Sequence, residues 1–423
     1  DKELIRRTDS PSIKEGEYLY RGELYDVSGA KAGQVPTKEY SSSDEWKMEL
    51  ENERKNKQPE AEEDEFKIAF VADKKKAIHQ IATHLIKKHS ARTMKGTKIR
   101  EVFIYQDGIY VSGEDMLKKD IRELLEELCN THYSKEIVET MKDLTVADRN
   151  DFKADVSLIN LNNGILNIHT GELMEHKPEC IFFTKIPVDY IKSADCPVIK
   201  KFLSETLDDN QIKVIQEWFG YILYREYFIK KAIIFVGEPD TGKTTLISLS
   251  GIFIGEQNFS GVSLQKISAD KFAVSNLYNK HLNFFDDLKF TDINDNGGFK
   301  IATGGGFITG EKKFGNQFQF KNYAKLAFAC NKIPDVKDTS DDAYFKRWII
   351  IPFNKVVEES KQDKHLIHKL TTSEELSGLL NFALEGLKRL LKNEKFSYSK
   401  DSDEIKTEMM RAGAPVANFA YDH

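Results

Sequence analysis

Residues 235–246 read "FVGEPDTGKTTL" and contain the pattern G-x-x-x-x-G-K-S/T at Gly237–Thr244. The run before it, 232–236, is apolar and partly β-branched, which predicts a buried strand. The run after it, 244–247, can open a helix. Glycines let the backbone wrap around an anion, and a helix N-terminus adds positive potential. The stretch therefore predicts a phosphate-binding loop. A glycine-rich turn that binds nothing is disfavoured, because the pattern and its strand context agree.

Two side chains of this loop have an expected chemical task. Lys243 would reach the β- and γ-phosphates, and the Thr244 hydroxyl would bind Mg²⁺. The residues predicted to contact the nucleotide are Gly237, Glu238, Pro239, Asp240, Thr241, Gly242, Lys243, Thr244 and Thr245. ATP and Mg²⁺ are the expected cofactors, although a kinase, a switch, a pump and a motor can all carry such a loop.

Composition limits the class of protein. The 423 residues are 31% charged and 40% hydrophobic with a net charge of −6, which is typical of a soluble protein of two or three globular domains. No apolar run approaches the roughly 18–20 residues of a membrane span. The four cysteines lie far apart without a C-x-x-C pair, which favours reduced thiols in the cytosol over disulfides or a zinc site. The mild net acidity is compatible with a local basic surface for nucleic acid.

Patterning along the chain predicts four segments. They are an N-terminal extension with a charged linker (1–64), an accessory α/β domain (65–205), an α/β phosphate-loop core (206–360) and a C-terminal helical segment (361–423). The core alternates strand and helix signals, which indicates a largely parallel sheet. In the extension, Glu17–Val27 alternates enough for a strand or hairpin, whereas 41–65 is typical of a flexible linker or a solvated helix.

Apolar residues at helical spacing predict three amphipathic helices. They cover 115–128, 208–229 and 372–393. Leu128 belongs to the predicted buried face of the first helix. Thr372 and Glu375 fit a capping box at the start of the third. Between two short apolar runs, Asp107-Gly108 predicts a hairpin turn.

A strand that ends in two acids follows the glycine pattern. Residues 282–287 read "LNFFDD", about 43 positions after Lys243. In a phosphate-loop ATPase one such acid holds Mg²⁺ through water, and the next orients or deprotonates the attacking water. We assign Asp286 to the metal and Asp287 to the water. An ordinary acidic turn after a strand is the alternative.

Two more polar residues adjoin predicted strands. Asn331 ends the strand in "KLAFACNKIP" and could hold the attacking water or touch the γ-phosphate, although asparagine is also an ordinary strand-ending turn residue. Arg347 precedes a buried strand at 348–351. A lone arginine at such an edge is usually a surface charge. It could also be an arginine finger inserted into a neighbour's nucleotide site, which would require a ring or a dimer.

Residues 299–320, "FKIATGGGFITGEKKFGNQFQF", combine glycine turns with alternating aromatics. Lys312, Lys313 and Phe314 lie where the tip of a hairpin is predicted. Because lysines contact phosphates and aromatic rings stack on bases, this tip suits single-stranded nucleic acid. A solvent-exposed hairpin with ordinary lysines is the alternative.

Taken in order, these segments resemble a superfamily 3 helicase of the phage, plasmid and poxvirus primase-helicase type. The motifs that carry the resemblance are "GEPDTGKTT", "NFFDD", "FKIATGGGFITGEKKF", "KLAFACNKIP" and "YFKRWIIIPF". Upstream, 162–190 and 215–223 resemble the domain that precedes the ATPase in that family. The resemblance covers roughly residues 100–395.

The resemblance implies an AAA+-like ATPase in a hexameric ring that closes on single-stranded DNA and unwinds duplex DNA in replication. It gives Asn331 the role of a polar sensor, Arg347 that of the finger reaching the adjacent subunit, and Lys300 that of a second basic sensor acting in trans. The predicted hairpin tip matches the pore hairpin of the family. Such helicases are often fused behind a primase or primase-polymerase, and a chain that starts at Asp1 fits the C-terminal portion of such a phage enzyme in the host cytoplasm.

Two other functions are considered from the sequence. A small-molecule phosphotransferase would need a lid with several arginines, whereas one well-placed arginine is evident. A ring-forming, ATP-dependent DNA-binding or loading module that does not unwind duplex DNA uses the same motor and is the main alternative.

Overall fold

The computed structural model describes residues 4–5, 18–20, 23–25, 64–95, 100–286, 296–311, 317–333, 340–358, 360 and 362–413. The chain divides into two units. One combines Asp1–Leu85 with Asp115–Met141, and the other combines Ile86–Glu114 with Lys142–His423. The four-segment division expected from the sequence stays a prediction.

The first unit contains a small antiparallel sheet and a group of helices. The strands pair in the order β1-β2-β3 and are β1 (Leu4–Ile5), β2 (Tyr18–Tyr20) and β3 (Glu23–Tyr25). The helices that lie wholly or mostly in this unit are α1 (64–72), α2 (Lys74–His89), α3 (Glu114–Leu125) and α4 (Thr131–Thr145). Pairing of β2 with β3 confirms the hairpin predicted in Glu17–Val27. The linker predicted at 41–65 lies outside the described residues, except that 64 and 65 begin α1.

Helix α3 buries the apolar face that the sequence predicted, with one exception. The predicted residues up to Leu125 are at most 6% exposed, whereas Leu128 is 37% exposed. The α-helix ends at Leu125, and 126–128 continue as a 3₁₀ turn with a different angular spacing of side chains. The predicted burial of Leu128 is therefore wrong, because the helix ends one turn earlier than its apolar pattern.

Two small sheets lie in the described N-terminal part of the second unit. One has the order β6-β5-β4-β7 and contains β4 (Arg92–Met94), β5 (Glu101–Gln106), β6 (Ile109–Ser112) and β7 (Val146–Ala147). The other has the order β10-β9-β8 and contains β8 (Leu158–Leu161), β9 (Gly164–Asn167) and β10 (Leu173–Met174). Between β5 and β6, Asp107 and Gly108 have φ angles of 48° and 85°. A two-residue type I′ turn requires positive φ at both positions, so the predicted hairpin is confirmed.

A parallel five-stranded sheet forms the centre of the second unit and confirms the predicted α/β class. Its order is β12-β13-β16-β11-β17. The strands are β11 (Ala232–Val236), β12 (Phe259–Ser260), β13 (Leu282–Phe285), β16 (Lys325–Cys330) and β17 (Trp348–Pro352). An antiparallel hairpin of β14 (Phe307–Glu311) and β15 (Gln317–Lys321) is inserted between β13 and β16. The central strands are apolar on both faces because helices cover the parallel sheet.

The helices of the second unit follow the chain around this sheet. They are α5 (Pro197–Thr206), α6 (Asp209–Leu223), α7 (Lys243–Ile254), α8 (Leu264–Ala269), α9 (Lys271–Ser275), α10 (Gly297–Ala302), α11 (Asp342–Phe345), α12 (Leu366–Leu370), α13 (Ser373–Asn393) and α14 (Ser402–Gly413). Asp208 caps α6 through a bond from the Gln211 backbone N–H, as its sequence indicates. Helices α6 and α13 each begin within one residue of the predicted start.

Helices α6 and α13 pack against each other at unusually short range. A Cβ atom added to Gly386 would lie 2.2 Å from the backbone oxygen of Gln216, and one added to Gly220 would lie 2.4 Å from the backbone oxygen of Ala383. Real side chains do not reach such distances, so the backbones can approach only because both positions are glycine. Near this contact, Arg389 pairs with the fully buried Glu217 at 2.6 Å.

Helix α6 ends at Leu223 and not at the predicted Ile229. The reason is a buried lysine on the neighbouring strand. The Lys325 ammonium donates to the backbone oxygens of Tyr224 at 2.7 Å and Glu226 at 3.0 Å. These two carbonyls are therefore bonded to Lys325 and not to the N–H groups of a further helical turn.

Glu375 does not complete the capping box predicted for α13. The Thr372 hydroxyl accepts from the Glu375 backbone N–H as expected. The Glu375 carboxylate instead accepts from the backbone N–H groups of Val198 at 3.1 Å and Ile199 at 3.0 Å. It therefore caps the N-terminus of α5, a different helix, where backbone donors otherwise lack partners. This part of the prediction is wrong, because a long-range contact replaces the local one.

Candidate functional site

The glycine loop, residues 237–244, joins the end of β11 to the start of α7 and has the strand–loop–helix context that its pattern requires. Gly242 has φ 93°, a left-handed conformation that favours glycine. A Cβ atom there would also lie 2.9 Å from Cγ2 of Thr206. At Gly237 a Cβ atom would lie 2.3 Å from the backbone oxygen of Phe353. Both glycines are thus required by the close packing of the loop.

The N-terminus of α7 opens onto this loop. Its N-cap residue is Gly242, which has no side chain to cap the first turn. Backbone N–H groups at such an end, together with the helix dipole, favour a bound anion. This is the arrangement that the sequence predicted for a phosphate site.

Lys243 is folded back onto the glycine loop. Its ammonium donates to the backbone oxygens of Gly237 at 2.5 Å and Glu238 at 2.7 Å, and to the Thr241 hydroxyl at 3.3 Å. Burial lowers the pKa of Lys243, and the nearby Asp286 carboxylate opposes this shift. The cation is therefore held in the loop by carbonyl and hydroxyl oxygens, which a phosphate group can replace.

Three neighbouring strands end at one cavity. Asp286 follows β13, Asn331 follows β16, and the glycine loop follows β11. Because the carboxyl ends of parallel strands meet at one edge, these groups converge there. The cavity has a volume of about 330 Å³. It is lined by Pro239, Asp240, Thr241, Gly242, Lys243, Thr244, Thr245, Asp286, Cys330 and Asn331.

These residues fit a nucleoside triphosphate with Mg²⁺. The Thr244 hydroxyl and the Asp286 carboxylate are hard oxygen donors that line the same cavity. Mg²⁺ is usually bound by one or two carboxylates together with substrate phosphates and waters, so a larger protein cage is not needed. In the described part of the chain, no group of three or more His, Cys, Asp or Glu side chains could hold a metal alone. Asp287, predicted to orient the attacking water, lies outside the described residues.

Arg347 lies where the parallel strands begin, whereas the glycine loop lies where they end. These two ends are called the amino and carboxyl edges of the sheet. Residues 232–236 of β11 pair in parallel with 348–352 of β17, and the backbone N–H of Ala232 donates to the oxygen of Arg347. At about 3.3 Å per residue, roughly 16 Å of strand separates the two edges. The chain therefore does not bring Arg347 to its own glycine loop. A finger role for this arginine requires the loop of another subunit.

Lys300 and Arg347 share a cluster at that opposite edge. Lys300 forms an ion pair with Asp341 at 2.7 Å. Arg347 donates from Nε to the Thr303 hydroxyl at 3.1 Å and from Nη1 to the backbone oxygen of Ala343. Burial lowers the pKa of Arg347, and Asp341 opposes this shift. The structure thus brings together the two cations that the resemblance assigned to trans-acting roles.

The predicted DNA hairpin has its strands in the described chain and its tip outside it. In β14 and β15, Ile308 and Phe320 face the core and hold the hairpin against it. Phe307 is 65% exposed, and the Lys321 ammonium lies 5.5 Å from the centre of its ring. Lys312, Lys313 and Phe314 lie outside the described residues, so their DNA contact stays a prediction.

Two groups of residues near the predicted sites were missed from the sequence. Cys330 lines the cavity, and burial raises the pKa of its thiol to about 12, which keeps it protonated. Its position directly before Asn331 at a strand end is a signal that could have found it. Asp341 and Thr303 hold the two cations at the other edge, but Asp341 is the N-cap of α11 and Thr303 is the C-cap of α10. No local pattern indicates that contact.

Two family profiles match separate parts of the chain. The profile of the family described as D5 N terminal like matches residues 43–208, and that of the family of unknown function DUF5906 matches 235–347. A putative helicase, L207/L206, of Acanthamoeba polyphaga mimivirus is 34% identical over 83 residues. That stretch is 19% of this chain and 8% of the viral protein.

The fold comparison extends over most of the chain. The A form apo structure of the NrS-1 C-terminal region has a TM-score of 0.50 at 16% identity and covers 81% of this chain and 74% of that chain. A structure of NrS-1 residues 305–718 has a TM-score of 0.49 at 16% identity. The chain is similar to proteins of the phage primase-helicase type. The resemblance to a protein of the primase-helicase type is thus confirmed, whereas membership of superfamily 3 stays a prediction. The first of these structures supports the predicted fold.

Among the helices of the described residues, none combines the length and apolar character of a membrane span.

Proposed function

We propose that this chain is an ATP-dependent replicative DNA helicase that works as a ring and moves along single-stranded DNA. The proposal rests on one observation: the predicted site residues form two separate groups, one at each end of the strands of one sheet. The glycine loop, Asp286 and Asn331 meet at one edge. Arg347 and Lys300 meet at the other. Neighbouring subunits in a ring join by unlike surfaces, so one edge can meet the other across each interface.

In this proposal the residues of the cavity bind and orient the triphosphate of ATP. Lys243 exchanges the loop carbonyls for phosphate oxygens, and the N-terminus of α7 adds N–H donors. Mg²⁺, held by Thr244 and Asp286, would neutralise charge on the β- and γ-phosphates. Asn331 would position the attacking water, and Asp287 would accept its proton.

The neighbouring subunit would supply Arg347, with Lys300 beside it. A guanidinium near the γ-phosphate stabilises charge that develops as the phosphate is transferred. Hydrolysis in each site therefore depends on contact between two subunits. That dependence would couple each hydrolysis step to a movement of one subunit against the next.

The hairpin of β14 and β15 would carry this movement to DNA. It follows α10, the helix that carries Lys300, within the same core. Its tip residues, Lys312, Lys313 and Phe314, would contact phosphates and bases of one strand. The similarity to a viral putative helicase and to the D5 N terminal like family supports a role in DNA replication.

The decisive experiment measures ATP hydrolysis and strand displacement together. We expect single-stranded DNA to stimulate hydrolysis and a forked duplex to be opened with ATP. The double variant Lys312→Ala, Lys313→Ala should lose the stimulation, weaken DNA binding, and lower the dependence of binding on salt. A matched control is Lys388→Ala, an exposed lysine on α13.

The same experiment separates unwinding from loading. DNA-stimulated hydrolysis without duplex opening would contradict the helicase proposal and favour the DNA-loading module. A double variant that keeps its DNA affinity and salt dependence would contradict the assigned DNA contact.

A further inference from the structure

The predicted arginine finger, Arg347, is held mainly by one short helix. Its Nη1 donates to the backbone oxygen of Ala343, in α11, and its backbone N–H donates to the oxygen of Tyr344 at 3.1 Å. Its Nε donates to the Thr303 hydroxyl at 3.1 Å. Two of these three bonds end on α11, so the position of the guanidinium depends on where that helix lies.

Helix α11 needs support from other elements, because it has only four residues. A single helical turn fixes many backbone angles for few hydrogen bonds, and it is not stable alone. The ring of Tyr344 packs edge-to-face against Trp348 with 5.7 Å between the ring centres, and it lies 5.4 Å from the ring of Phe299. These contacts join α11 to β17 and to α10.

Helix α14 also contacts α11. Ile405 and Met409 lie four residues apart and therefore share one face of α14. Both are at most 2% exposed and belong to the same buried cluster as Phe345. Lys406 adds a charged contact, since its ammonium lies 3.9 Å from the Asp342 carboxylate and 5.8 Å from the centre of the Phe345 ring. Helix α14 thus holds α11 by an apolar face and by an ion pair.

The start of α14 is fixed by the chain that precedes it. The Asp401 carboxylate accepts from the backbone N–H groups of Asp403 and Glu404, both at 2.9 Å. The Glu404 carboxylate accepts from the Asp401 N–H at 2.8 Å, which completes a reciprocal cap. Just before it, the Tyr398 hydroxyl bonds to the backbone N–H of Ile350 at 3.0 Å and to its oxygen at 3.3 Å. The segment is therefore anchored to β17 as well as to α11.

The phosphate cavity has a separate set of residues. Its lining comes from the glycine loop, the start of α7 and the ends of β13 and β16, and it includes no residue of α14. Helix α14 contacts the cluster at the amino edge instead. A change in α14 is thus expected to disturb the cation that a subunit offers and to leave its own cavity intact.

We propose that α14 is a positioning element for catalysis. Through α11, Ile405 and Lys406 hold Arg347 in the direction needed to reach a triphosphate bound by the adjacent subunit. This inference rests on the proposed function, since it needs a nucleotide site that a neighbour completes. It also extends that function, because the C-terminal segment of one subunit then sets the rate of hydrolysis in the next.

Truncation of Ile405 tests the effect on rate. Ile405→Ala should lower ATP turnover by about tenfold, since a small displacement of a catalytic group is costly, while the affinity for ATP is unchanged. Ile137→Ala is the matched control, because it makes the same truncation at a fully buried residue of α4, in the other unit, and should keep its turnover. A similar loss of turnover in the control would overturn the inference.

Mixing experiments show in which subunit Ile405→Ala acts. Asp286→Asn keeps its arginine and lacks a working cavity, whereas Arg347→Ala keeps its cavity and lacks the arginine. In an equal mixture with Asp286→Asn, turnover should rise to about a quarter of that of the unchanged protein, because about one interface in four joins an intact cavity to an intact arginine. In a mixture with Arg347→Ala it should fall. Recovery with Arg347→Ala alone would place the damage in the variant's own cavity and contradict the inference.

A surface substitution tests the same role if Ile405→Ala does not fold. Lys406→Glu places like charges at the contact with Asp342, so it should lower turnover and recover only with Asp286→Asn. Lys406→Arg keeps the positive charge and should keep the turnover. Lys388→Glu, at an exposed position of α13, controls for the change of charge. Full turnover in Lys406→Glu, or an equal loss in Lys388→Glu, would overturn the inference.

The mixture of Asp286→Asn with Arg347→Ala separates this inference from the proposed function. If that mixture recovers turnover but Asp286→Asn rescues neither Ile405→Ala nor Lys406→Glu, the shared site stands and the positioning role of α14 is overturned. If that mixture shows no recovery, the shared site fails and the positioning role fails with it.

Discussion

Lys243 is the residue on which the phosphate site depends most. Its ammonium is held by the backbone oxygens of Gly237 and Glu238. Burial lowers its pKa, and the Asp286 carboxylate acts in the opposite direction. The backbone carbonyls that hold it are weak partners compared with an anionic phosphate. A triphosphate can therefore draw the ammonium out of the loop without leaving a strong contact behind.

We expect Lys243→Ala to reduce ATP hydrolysis at least about a hundredfold, because one preorganised charge on the transferred phosphate is lost. Steady-state phosphate release is the measurement, with Lys388→Ala as the control for a lysine remote from the cavity. The assignment of the phosphate loop would be wrong if the Ala variant kept most of its turnover.

His281 is a buried histidine outside the site, in which both ring nitrogens have partners. Nδ1 lies 3.0 Å from the backbone oxygen of Ile222, which accepts only, so Nδ1 carries the proton. Nε2 lies 3.0 Å from the Thr184 hydroxyl and accepts from it. Burial lowers the pKa of His281 to about 3, although the bond to Ile222 favours the charged form. The neutral ring is therefore part of the folded state.

This histidine predicts a loss of stability on acidification. The unfolded chain binds a proton near pH 6.5 and the folded chain does so only near pH 3, so the stabilisation is present above pH 6.5 and is lost as the pH falls below it. Between pH 6.5 and pH 5 the loss is about 2 kcal/mol. Urea unfolding at both pH values should show a smaller loss in His281→Asn. Equal losses in the two proteins would contradict this role.

The sequence predicts that residues at the ends of adjacent core strands lie together, but it does not predict which distant residues contact Lys300 and Arg347. Asp286 and Asn331 follow apolar strands, and parallel strands bring their ends to one edge, so the pattern alone indicates a shared cavity. The contacts of Lys300 with Asp341 and of Arg347 with Thr303 join positions about 40 residues apart. They depend on the packing of α10 against the start of β17, and no spacing in the sequence encodes that packing.

Among the helices, the packing of α6 against α13 helps to hold the sheet that carries the site. The two helices contact each other along much of their length and bury the leucine stripe of α13. The apolar spacing of both helices predicts these buried faces. The close approach at Gly220 and Gly386 is not predicted, because a glycine within a helical pattern has no distinctive local signal.

We expect Gly386→Ala to lower the free energy of unfolding by about 1–3 kcal/mol, because the added methyl overlaps the backbone of α6. Gly251→Ala is the matched control within a helix. Its Cβ would lie 3.9 Å from the ring of Phe259, an ordinary contact, and the change should stabilise α7 by up to about 1 kcal/mol. Chemical denaturation measures both. Effects of the same sign in the two variants would argue against the close crossing.

The segment formed by the described residues of 355–369 lies beside the glycine loop. Its backbone N–H at Val357 bonds to Asp240, and Gln362 donates to the oxygen of Val357 at 3.2 Å. Sequence periodicity could not find this contact, because the segment has little regular structure before α12. Its position follows from β17, which ends beside the glycine loop.

For the whole molecule, the separation of charges across the sheet is the central feature. The phosphate cavity lies at the carboxyl edge of the parallel strands, and the cluster of Arg347 and Lys300 lies at the amino edge. A rigid sheet cannot bring these edges together within one subunit. In the proposed function, catalysis by both groups therefore requires two copies of the chain that meet by unlike surfaces.

The most direct test of a shared site mixes two inactive variants. Arg347→Ala lacks the cation offered to a neighbour, and Asp286→Asn lacks the metal-binding carboxylate of its own cavity. In an equal mixture about one interface in four joins an intact cavity to an intact arginine, so ATP turnover should recover to about a quarter of the unchanged protein. Turnover no higher than that of either variant alone would contradict a site completed by the adjacent subunit.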